Sequence, residues 1–453
     1  MSPDPLLLIL LDACRYDYPD PGDSPFLWGA GEEGLYVQRL RPGYGFCEIA
    51  EMLTGVEARR SGLFCQMGYF EDAEISPALR LAVALAAPLE ERGGPFLREC
   101  GRSLLRRVAR RFDRREVYQI PARQLHRFGP TEAAREYREP LAFGIPSLLD
   151  LLREAGGRAD TGAFVTRGRI DGPDEDRVRR LEELANGKEP LPDLTLAYLG
   201  NLDAAGHRYG PEAEGLRASL RATDRRLARS ARAFLDRGAN VLVVGDHGMM
   251  RVHARADPLR AFAEACRALS WKAGREAFAF VDSTLCRFWV REAGDLPALE
   301  AELEARLPRC WGASPPKGLV LPEPYPGAPE PEAGVPSPGF WLREEAAERL
   351  GAPRGDRRYG DLAWGARPGI LFAPDYFNLG PVAGMHGYRS DLPEQQGLLL
   401  GLGPSFPVER RTSCSLVDVA PTAAGLLGLS FPGELDGRNL RGDRALLFEV
   451  VRG

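Results

Sequence analysis

Three short motifs in the sequence place histidine close to aspartate or glycine. Asp203 and His207 stand four residues apart, a spacing that aims an oxygen and an imidazole nitrogen at one ion if the turn between them is helical. Asp246 and His247 are adjacent at the end of an apolar run, and His386 lies between glycines that allow backbone to approach a ligand closely. Imidazole and carboxylate are common metal ligands, so the motifs predict a metal site.

Together with Asp12, these motifs supply three carboxylates and three imidazoles. A single His-Gly pair more often marks a turn than a ligand. Six such side chains, however, are enough for two divalent ions with open coordination positions. Mixed nitrogen and oxygen ligation favours zinc, with manganese or iron as the alternatives. Two ions roughly 3.5–4 Å apart can bind both an attacking atom and a phosphoryl oxygen.

The elements that must position these ligands form an alternating pattern. Leu6–Leu11, Leu194–Leu199 and Asn240–Val244 are short apolar runs that each end at or near a carboxylate, as strands buried on both faces of a parallel sheet do. Segments 146–156 and 216–237 lie between these runs and have helical spacing; the first ends at Gly156 and the second just before Gly238. The pattern predicts an α/β fold whose ligands meet beyond the carboxyl ends of the strands.

Composition sets broad limits on the class of protein. The chain has 453 residues, 44% of them hydrophobic and 27% charged, with a formal net charge of -5. This is globular composition, and it indicates no general attraction to nucleic acid or to an acidic membrane. No apolar run reaches the roughly 18 residues of a membrane span, and no export signal is evident. Eight scattered cysteines then predict reduced thiols in the cytoplasm.

The order of the motifs predicts the domain organisation. Residues 1–254 and 381–453 are expected to form the core, with a helical insertion at about 80–140. Residues 255–380 interrupt the ligand order and are expected to form a smaller cap over the site, with one strand over residues 280–290. Residues 96–112 read as a basic amphipathic helix, which fits either a solvated helix covering the core or one that contacts a membrane surface or a polyanionic substrate.

Read in order, the motifs resemble the nucleotide pyrophosphatase/phosphodiesterase branch of the alkaline phosphatase superfamily. The matching segments are Asp12-Ala13-Cys14-Arg15-Tyr16-Asp17, Thr54-Gly55, Asp203 and His207 followed by Gly210-Pro211, Asp246-His247-Gly248-Met249, His386-Gly387, and the C-terminal 417–422 with 435–438. The resemblance implies an α/β fold with a mostly parallel sheet sandwiched by helices and a smaller cap subdomain. It also implies a metal-dependent hydrolase that cleaves a phosphodiester or pyrophosphate bond through a covalent phospho-enzyme.

The resemblance further implies how the ligands divide between two divalent ions. Asp203, His207 and His386 would hold one ion. Asp12, Asp246, His247 and the nucleophile would hold the other, and this list completes the predicted ligand set. Arg15 would either contact a substrate phosphate or form a structural salt bridge with Asp17.

The nucleophile is where this sequence departs from the family pattern. Counting back from Thr54-Gly55, the family's nucleophile position falls at about Gly45, and no serine or threonine occurs between Pro42 and Thr54. Cys47 opens a helix-like run two residues further on. A thiolate there could serve as nucleophile and metal ligand, as metal ligand alone with water attacking, or Cys47 could be a small buried core residue.

The leading functional hypothesis is a phosphodiesterase or nucleotide pyrophosphatase acting on a small-molecule phosphate ester or nucleotide, without a nucleic acid partner. The same scaffold also serves phosphotransferases, phosphomutases and phosphonate hydrolases. A third hypothesis is a catalytically inactive binding protein that retains its metal, because a hydroxyl nucleophile is missing.

The first prediction concerns metal content. Because three motifs and Asp12 supply six ligand-type side chains, the purified protein is expected to carry close to two transition metal ions per chain. Elemental analysis measures this directly. Fewer than one ion per chain, with no recovery after zinc or manganese is added, would contradict the dinuclear site.

Overall fold

A computed structural model describes residues 3–113, 116–165, 172–313, 319–328, 336–378, 380 and 382–441. The chain forms two compact units, each assembled from separate segments. The first unit contains residues 1–64, 132–251 and 389–453, and the second contains residues 65–131 and 252–388.

The regular elements alternate along much of the chain. The strands are β1 Leu6–Leu11, β2 Leu35–Arg41, β3 Met67–Tyr69, β4 Phe128–Pro130, β5 Ala159–Ala163, β6 Leu194–Leu199, β7 Asn240–Val244, β8 Met250–Arg251, β9 Ala254–Ala256, β10 Ala277–Val281, β11 Leu285–Val290, β12 Gly339–Trp341, β13 Leu362–Ala366, β14 Ile370–Phe372, β15 Gly384–Met385, β16 Gly397–Leu402 and β17 Glu409–Ser415. The helices are α1 Pro25–Ala30, α2 Glu48–Thr54, α3 Ala58–Ser61, α4 Pro77–Arg92, α5 Pro95–Val108, α6 Leu148–Glu154, α7 Asp174–Asn186, α8 Asn201–Tyr209, α9 Glu214–Leu235, α10 Pro258–Ala268, α11 Leu296–Arg306, α12 Glu344–Leu350 and α13 Val419–Leu426.

The first unit is built on a sheet with the strand order β17-β2-β16-β7-β1-β6-β5. Strand β1 pairs in parallel with both β6 and β7, and β5 extends the parallel set beside β6. Strand β16 alone runs antiparallel to its neighbours in this sheet. The predicted α/β fold with a mostly parallel sheet is therefore confirmed, and β1, β6 and β7 begin and end where the apolar runs predicted.

Both faces of this sheet are covered. Alternate residues of β1 enter two different apolar clusters, Leu6, Leu8 and Leu10 on one face and Leu7, Ile9 and Leu11 on the other. Helices α2, α6 and α13 supply residues to the first cluster, and α7, α8 and α9 supply residues to the second. A strand with no polar face has to be buried on both sides, which explains why these six leucine and isoleucine side chains predicted a central strand.

Helix α2 is held in place from its first turn to its end. The amide of Ala50 donates a hydrogen bond of 2.6 Å to the carboxyl of Glu132, and the carboxyl of Glu51 accepts one of 2.8 Å from the amide of Gly43. The helix ends at Thr54, followed by Gly55 with φ of 72°. A left-handed residue of this kind is the usual helix stop, and it accounts for the Thr-Gly motif.

The second unit contains an antiparallel sheet in the order β10-β11-β13-β12. A single strand was expected over residues 280–290. The structure instead has two strands, β10 and β11, which pair antiparallel across a turn at residues 282–284. Ser283 has φ of 62°, which reverses the chain there. Asp282 pairs with the buried Arg287 at 3.0 Å.

The predicted insertion forms a pair of helices, α4 and α5, in the second unit. Only part of the expected apolar face of α5 is buried. Leu105 is fully covered, whereas Leu97 is 46% exposed and Phe112, just beyond the helix, is 59% exposed. One arginine of this basic segment is structural, because Arg102 is buried and donates a hydrogen bond of 2.6 Å to the carbonyl of Ile120.

The units differ from the predicted domain boundaries. Residues 65–131 join the second unit, whose later segment runs from 252 to 388 rather than from 255 to 380. That residues 255–380 cover the site stays a prediction. Within the described parts of the chain, no helix is both long enough and apolar enough to cross a bilayer.

A second prediction follows from Glu51. Burial raises the pKa of this carboxyl to about 7, although hydrogen bonds from the amides of Gly43 and Ala58 act in the opposite direction. Because the folded-state pKa lies above the unfolded value, the stability that the neutral carboxyl contributes is complete below about pH 4 and is lost as the pH rises through 7. The wild-type protein should therefore lose stability over this range.

Glu51→Gln removes that titration. Relative to wild type, the variant should gain free energy of unfolding as the pH rises from 5 to 8, by on the order of 3 kcal/mol in total. Urea unfolding with a chelator present, followed by circular dichroism, measures the difference. Glu33→Gln, at an exposed position, controls for the lost charge. Parallel curves for Glu51→Gln and wild type would refute the assignment.

Candidate metal centre

Asp12 stands directly after the central strand β1. Its amide donates a hydrogen bond of 3.0 Å to the carbonyl of Leu199 at the end of β6, so the strand pairing carries on to the ligand itself. The hydroxyl of Tyr198 donates a short hydrogen bond to Oδ2 of Asp12. One carboxylate oxygen is thus held by the neighbouring strand, and Oδ1 is turned toward His247.

Asp246 follows strand β7, which pairs with β1. Its carboxylate accepts hydrogen bonds from the neighbouring backbone. Oδ1 accepts hydrogen bonds from the amides of Ala13 at 3.1 Å and His247 at 2.9 Å. Ala13 has φ of 58°, a conformation that glycine adopts with less strain. The hydrogen bond to Asp246 holds Ala13 in this turn.

His247 is oriented through its inner ring nitrogen. Nδ1 lies 2.8 Å from the carbonyl oxygen of Gly248, an acceptor that fixes the ring and leaves Nε2 facing the carboxylates. Nε2 lies 3.1 Å from Oδ1 of Asp12 and 3.8 Å from Oδ2 of Asp246. A side chain at Gly248 would place its Cβ 2.2 Å from the carbonyl oxygen of Glu394, which explains the glycine after this histidine.

Asp203 and His207 lie on helix α8, so the condition set by their spacing is met. His207 Nε2 is 3.2 Å from Oδ1 of Asp203. The start of the helix is fixed by the buried Asp174, whose carboxylate accepts hydrogen bonds from the amides of Gly200 at 3.0 Å and Asn201 at 3.1 Å. This capping carboxylate comes from α7 and was not identified from the sequence.

Three of the predicted ligands converge in the first unit. Asp12, Asp203 and His247 each offer one ligand atom, and these three atoms all lie within 4.8 Å of one another. Two ligands of one ion are at most roughly 4.2 Å apart when each lies about 2.1 Å from it. Small side-chain rotations therefore suffice for shared coordination.

The clustered carboxylates of Asp12, Asp203 and Asp246 require a compensating positive charge. Burial and the Asp203 carboxylate raise the pKa of Asp12, and burial also raises the pKa of Asp246 despite the neighbouring His247. Burial opposes a charge on His247, but Asp246 and Asp12 raise its pKa well above the ordinary value. A divalent cation stabilises clustered carboxylates and leaves the imidazole neutral for ligation. The donors present, oxygens and an imidazole nitrogen, fit such an ion.

His386 belongs to the second unit, where it follows strand β15. The turn around it is fixed within that unit. The hydroxyl of Thr284 donates a hydrogen bond of 3.1 Å to the carbonyl of Gly387, and the hydroxyl of Tyr388 donates one of 2.9 Å to the carbonyl of Ile370. That His386 is one of the metal ligands stays a prediction.

The predicted nucleophile segment lies at the start of α2. Gly45 has φ of 121°, and a Cβ there would come within 2.3 Å of the carbonyl oxygen of Phe64. No nucleophilic side chain fits at the family's expected position. Cys47 is only 5% exposed and belongs to the apolar cluster on one face of the sheet. Its assigned roles as nucleophile and ligand stay predictions.

One ligand-type residue was missed in the sequence. A carboxylate oxygen of Glu48, the first residue of α2, lies within 4.8 Å of an imidazole nitrogen of His247. Burial raises the pKa of Glu48 well above its usual range, while His247 lowers it. In the sequence, the feature that could have pointed to Glu48 is its position directly after Cys47, the suspected nucleophile.

Arg15 has a structural role in this unit. Its guanidinium binds Asp17 at 2.6 Å and the carbonyl of Met249 at 2.9 Å, and it packs over the ring of Tyr18. Of the two roles considered for Arg15, the structure shows the salt bridge with Asp17.

The parallel sheet with carboxylates and histidines beyond its strand ends fits the class that the motifs resemble, the nucleotide pyrophosphatase/phosphodiesterase branch of the alkaline phosphatase superfamily. The sequence model of the type I phosphodiesterase / nucleotide pyrophosphatase family matches residues 117–388, and the chain belongs to this family.

Individual relatives are more distant. Human ectonucleotide pyrophosphatase/phosphodiesterase family member 7 is 35% identical over 113 residues, which is 22% of this chain and only 24% of that relative's length. Murine ectonucleotide pyrophosphatase/phosphodiesterase 5 has a similar fold, with a TM-score of 0.62, 16% identity, and coverage of 95% of this chain and 97% of the other. An inactive variant of the murine protein in complex with AMP gives 0.61 at 16% identity, with the same coverage. The human protein gives 0.61 at 15% identity, covering 96% of this chain and 98% of the other.

A third prediction concerns Tyr198. Tyr198→Phe removes the donor that orients Asp12, so affinity for zinc or manganese should fall by roughly 10–100-fold without a large change in stability. Isothermal titration calorimetry measures the affinity. Tyr18→Phe is the matched control, because Tyr18 is also buried and its hydroxyl has no hydrogen-bond partner among the described residues. Equal metal affinity in both variants would contradict this role.

Proposed function

We propose that the protein is a metal-dependent hydrolase that cleaves a phosphodiester or pyrophosphate bond in a small nucleotide-type substrate. The observation that carries the proposal is the convergence of Asp12, Asp203 and His247 within 4.8 Å, in a chain of the type I phosphodiesterase / nucleotide pyrophosphatase family. The murine relative in complex with AMP supports a nucleotide as the substrate class.

The proposal includes two divalent ions, with zinc first and manganese or iron as alternatives. Asp12, Asp246 and His247 would hold one ion, and Asp203, His207 and His386 the other. Ions bound there supply positive charge for a phosphoryl group and lower the pKa of a bound water or side chain. Oxygen and nitrogen donors of this kind are what these metals bind.

The chain's own contribution is orientation. Tyr198 holds one oxygen of Asp12, and the carbonyl of Gly248 fixes the ring of His247 at Nδ1. The amides of Ala13 and His247 neutralise part of the charge on Asp246. Ligands fixed in this way need little rearrangement during the reaction, which lowers the barrier.

Two routes lead from this site to the same products. In the covalent route implied by the family resemblance, the Cys47 sulfur would attack phosphorus and displace the leaving-group oxygen, and water would then break the S–P bond of the phospho-enzyme. In the direct route, water attacks and no side chain is modified. Acid quenching during turnover of a phosphorus-labelled substrate distinguishes them, because only the covalent route leaves label on the protein.

A reducing compartment, the cytoplasm, is part of the proposal. Seven of the eight cysteines are buried and none of the eight forms a disulfide. Thiols of this kind are typical of proteins that fold under reducing conditions.

The fourth prediction tests the activity. With zinc or manganese added, the protein should hydrolyse bis-p-nitrophenyl phosphate and the p-nitrophenyl ester of a nucleoside 5′-monophosphate faster than p-nitrophenyl phosphate, and a chelator should abolish turnover. Asp203→Asn should lower kcat/KM by at least about 100-fold, since it removes a charged ligand. Preference for the monoester would favour a phosphomonoesterase or phosphotransferase, and metal binding without turnover would indicate an inactive binding protein.

A further inference from the structure

We propose that Glu48 is a metal ligand of this centre and takes the place beside His247 for which Cys47 was expected. The inference rests on the proposed function, because it presupposes that the centre holds metal. Its basis is the position of a carboxylate that no motif pointed to.

The first argument is distance. A carboxylate oxygen of Glu48 and a ring nitrogen of His247 meet the same 4.8 Å limit that joins Asp12, Asp203 and His247. Glu48 also interacts electrostatically with Asp246 as well as His247. Its side chain therefore belongs to the same group of charges as the ligands that β1 and β7 deliver. A half-buried carboxylate beside other carboxylates is unfavourable unless a cation or a proton compensates it.

The second argument is that the backbone fixes this position. Glu48 is the first residue of α2, and the amide of Ala50, two residues on, is bound by the buried Glu132. Within the same short helix, the hydroxyl of Thr54 donates a hydrogen bond of 2.6 Å to the carbonyl of Ala50. A side chain on a helix whose first turn is held by a buried carboxyl group is preorganised for ligation.

The third argument comes from the neighbouring residue. Cys47 lies just before α2, with non-helical φ of -127° and ψ of 48°, whereas Glu48 is the first helical residue. Cys47 packs in the apolar cluster with Leu53 and Ala50. Among the described residues, one of the three groups of close ligand atoms includes Glu48 and none includes Cys47.

A carboxylate in this place changes both metal preference and chemistry. Oxygen donors in place of a thiolate suit manganese as well as zinc. A carboxylate ligand also leaves water as the attacking group. The oxygen of water then bonds to phosphorus as the bond to the leaving oxygen breaks, and the proton that water loses passes to solvent or to that leaving group.

The fifth prediction tests the ligand assignment with metal stoichiometry and affinity rather than turnover. Glu48→Gln should reduce binding from two ions to one, or weaken one site by at least about 10-fold, and Glu48→Asp should recover part of the loss. Glu51→Gln is the matched control, since it makes the same change one turn further along α2. It should bind metal as wild type does.

Separate outcomes address the inference and the proposed function. If wild type binds two ions and Glu48→Gln binds two with unchanged affinity, Glu48 is not a ligand, and the inference fails alone. If wild type binds no metal, or Asp203→Asn binds as tightly as wild type, the proposed function fails as well. Circular dichroism and thermal unfolding of Glu48→Gln and Glu48→Asp show whether each variant is folded, and a loss of metal counts only in a folded variant.

Cobalt substitution distinguishes the two neighbouring residues directly. A thiolate ligand gives cobalt(II) an intense near-ultraviolet charge-transfer band, and carboxylate and imidazole ligands do not. The cobalt-loaded wild type is expected to lack this band, and Glu48→Gln is expected to change its visible spectrum. A thiolate band that disappears in Cys47→Ser would overturn the assignment in favour of Cys47.

Discussion

Mutual repulsion among carboxylates at one edge of the sheet is the constraint on which the first unit depends. Asp12, Asp203 and Asp246 approach one another because β1, β6 and β7 are parallel neighbours, and a parallel sheet delivers all its strand ends to the same edge. In the absence of a cation, the repulsion among these carboxylates would oppose folding. The donors around it, the Tyr198 hydroxyl and the amides of Ala13 and His247, each reduce that cost without removing it.

The fold and the site could be predicted from the sequence where the pattern of residues lay within one short continuous segment. An unbroken run of large apolar residues can be stable only between two covered faces, so Leu6–Leu11 predicted a central strand, and its end predicted the place of Asp12. The spacing of Asp203 and His207 could be interpreted for the same reason. One helical turn is a short-range property, and α8 places the two side chains 3.2 Å apart.

Long-range packing was not visible in the sequence. Gly45 looked like the nucleophile position because positions were counted along the chain, whereas the carbonyl of Phe64, nineteen residues away in sequence, leaves no room for a side chain there. Glu48 has no ligand motif around it in the sequence. Its proposed role as a metal ligand depends on its proximity to His247, which follows β7 and is far from Glu48 in the sequence. The division of the 280–290 segment into two strands depends on a single left-handed residue, Ser283.

The discontinuous make-up of both units has a consequence for how the polypeptide acquires its structure during synthesis. The first sheet needs β16 and β17, which are synthesised after all the other described strands, and the second unit is interrupted by residues 132–251. Neither unit can be finished while the other is still wholly untranslated. A nascent chain therefore exposes unpaired strand edges for most of its elongation, and a chaperone that shields such edges would protect it until the final strands arrive.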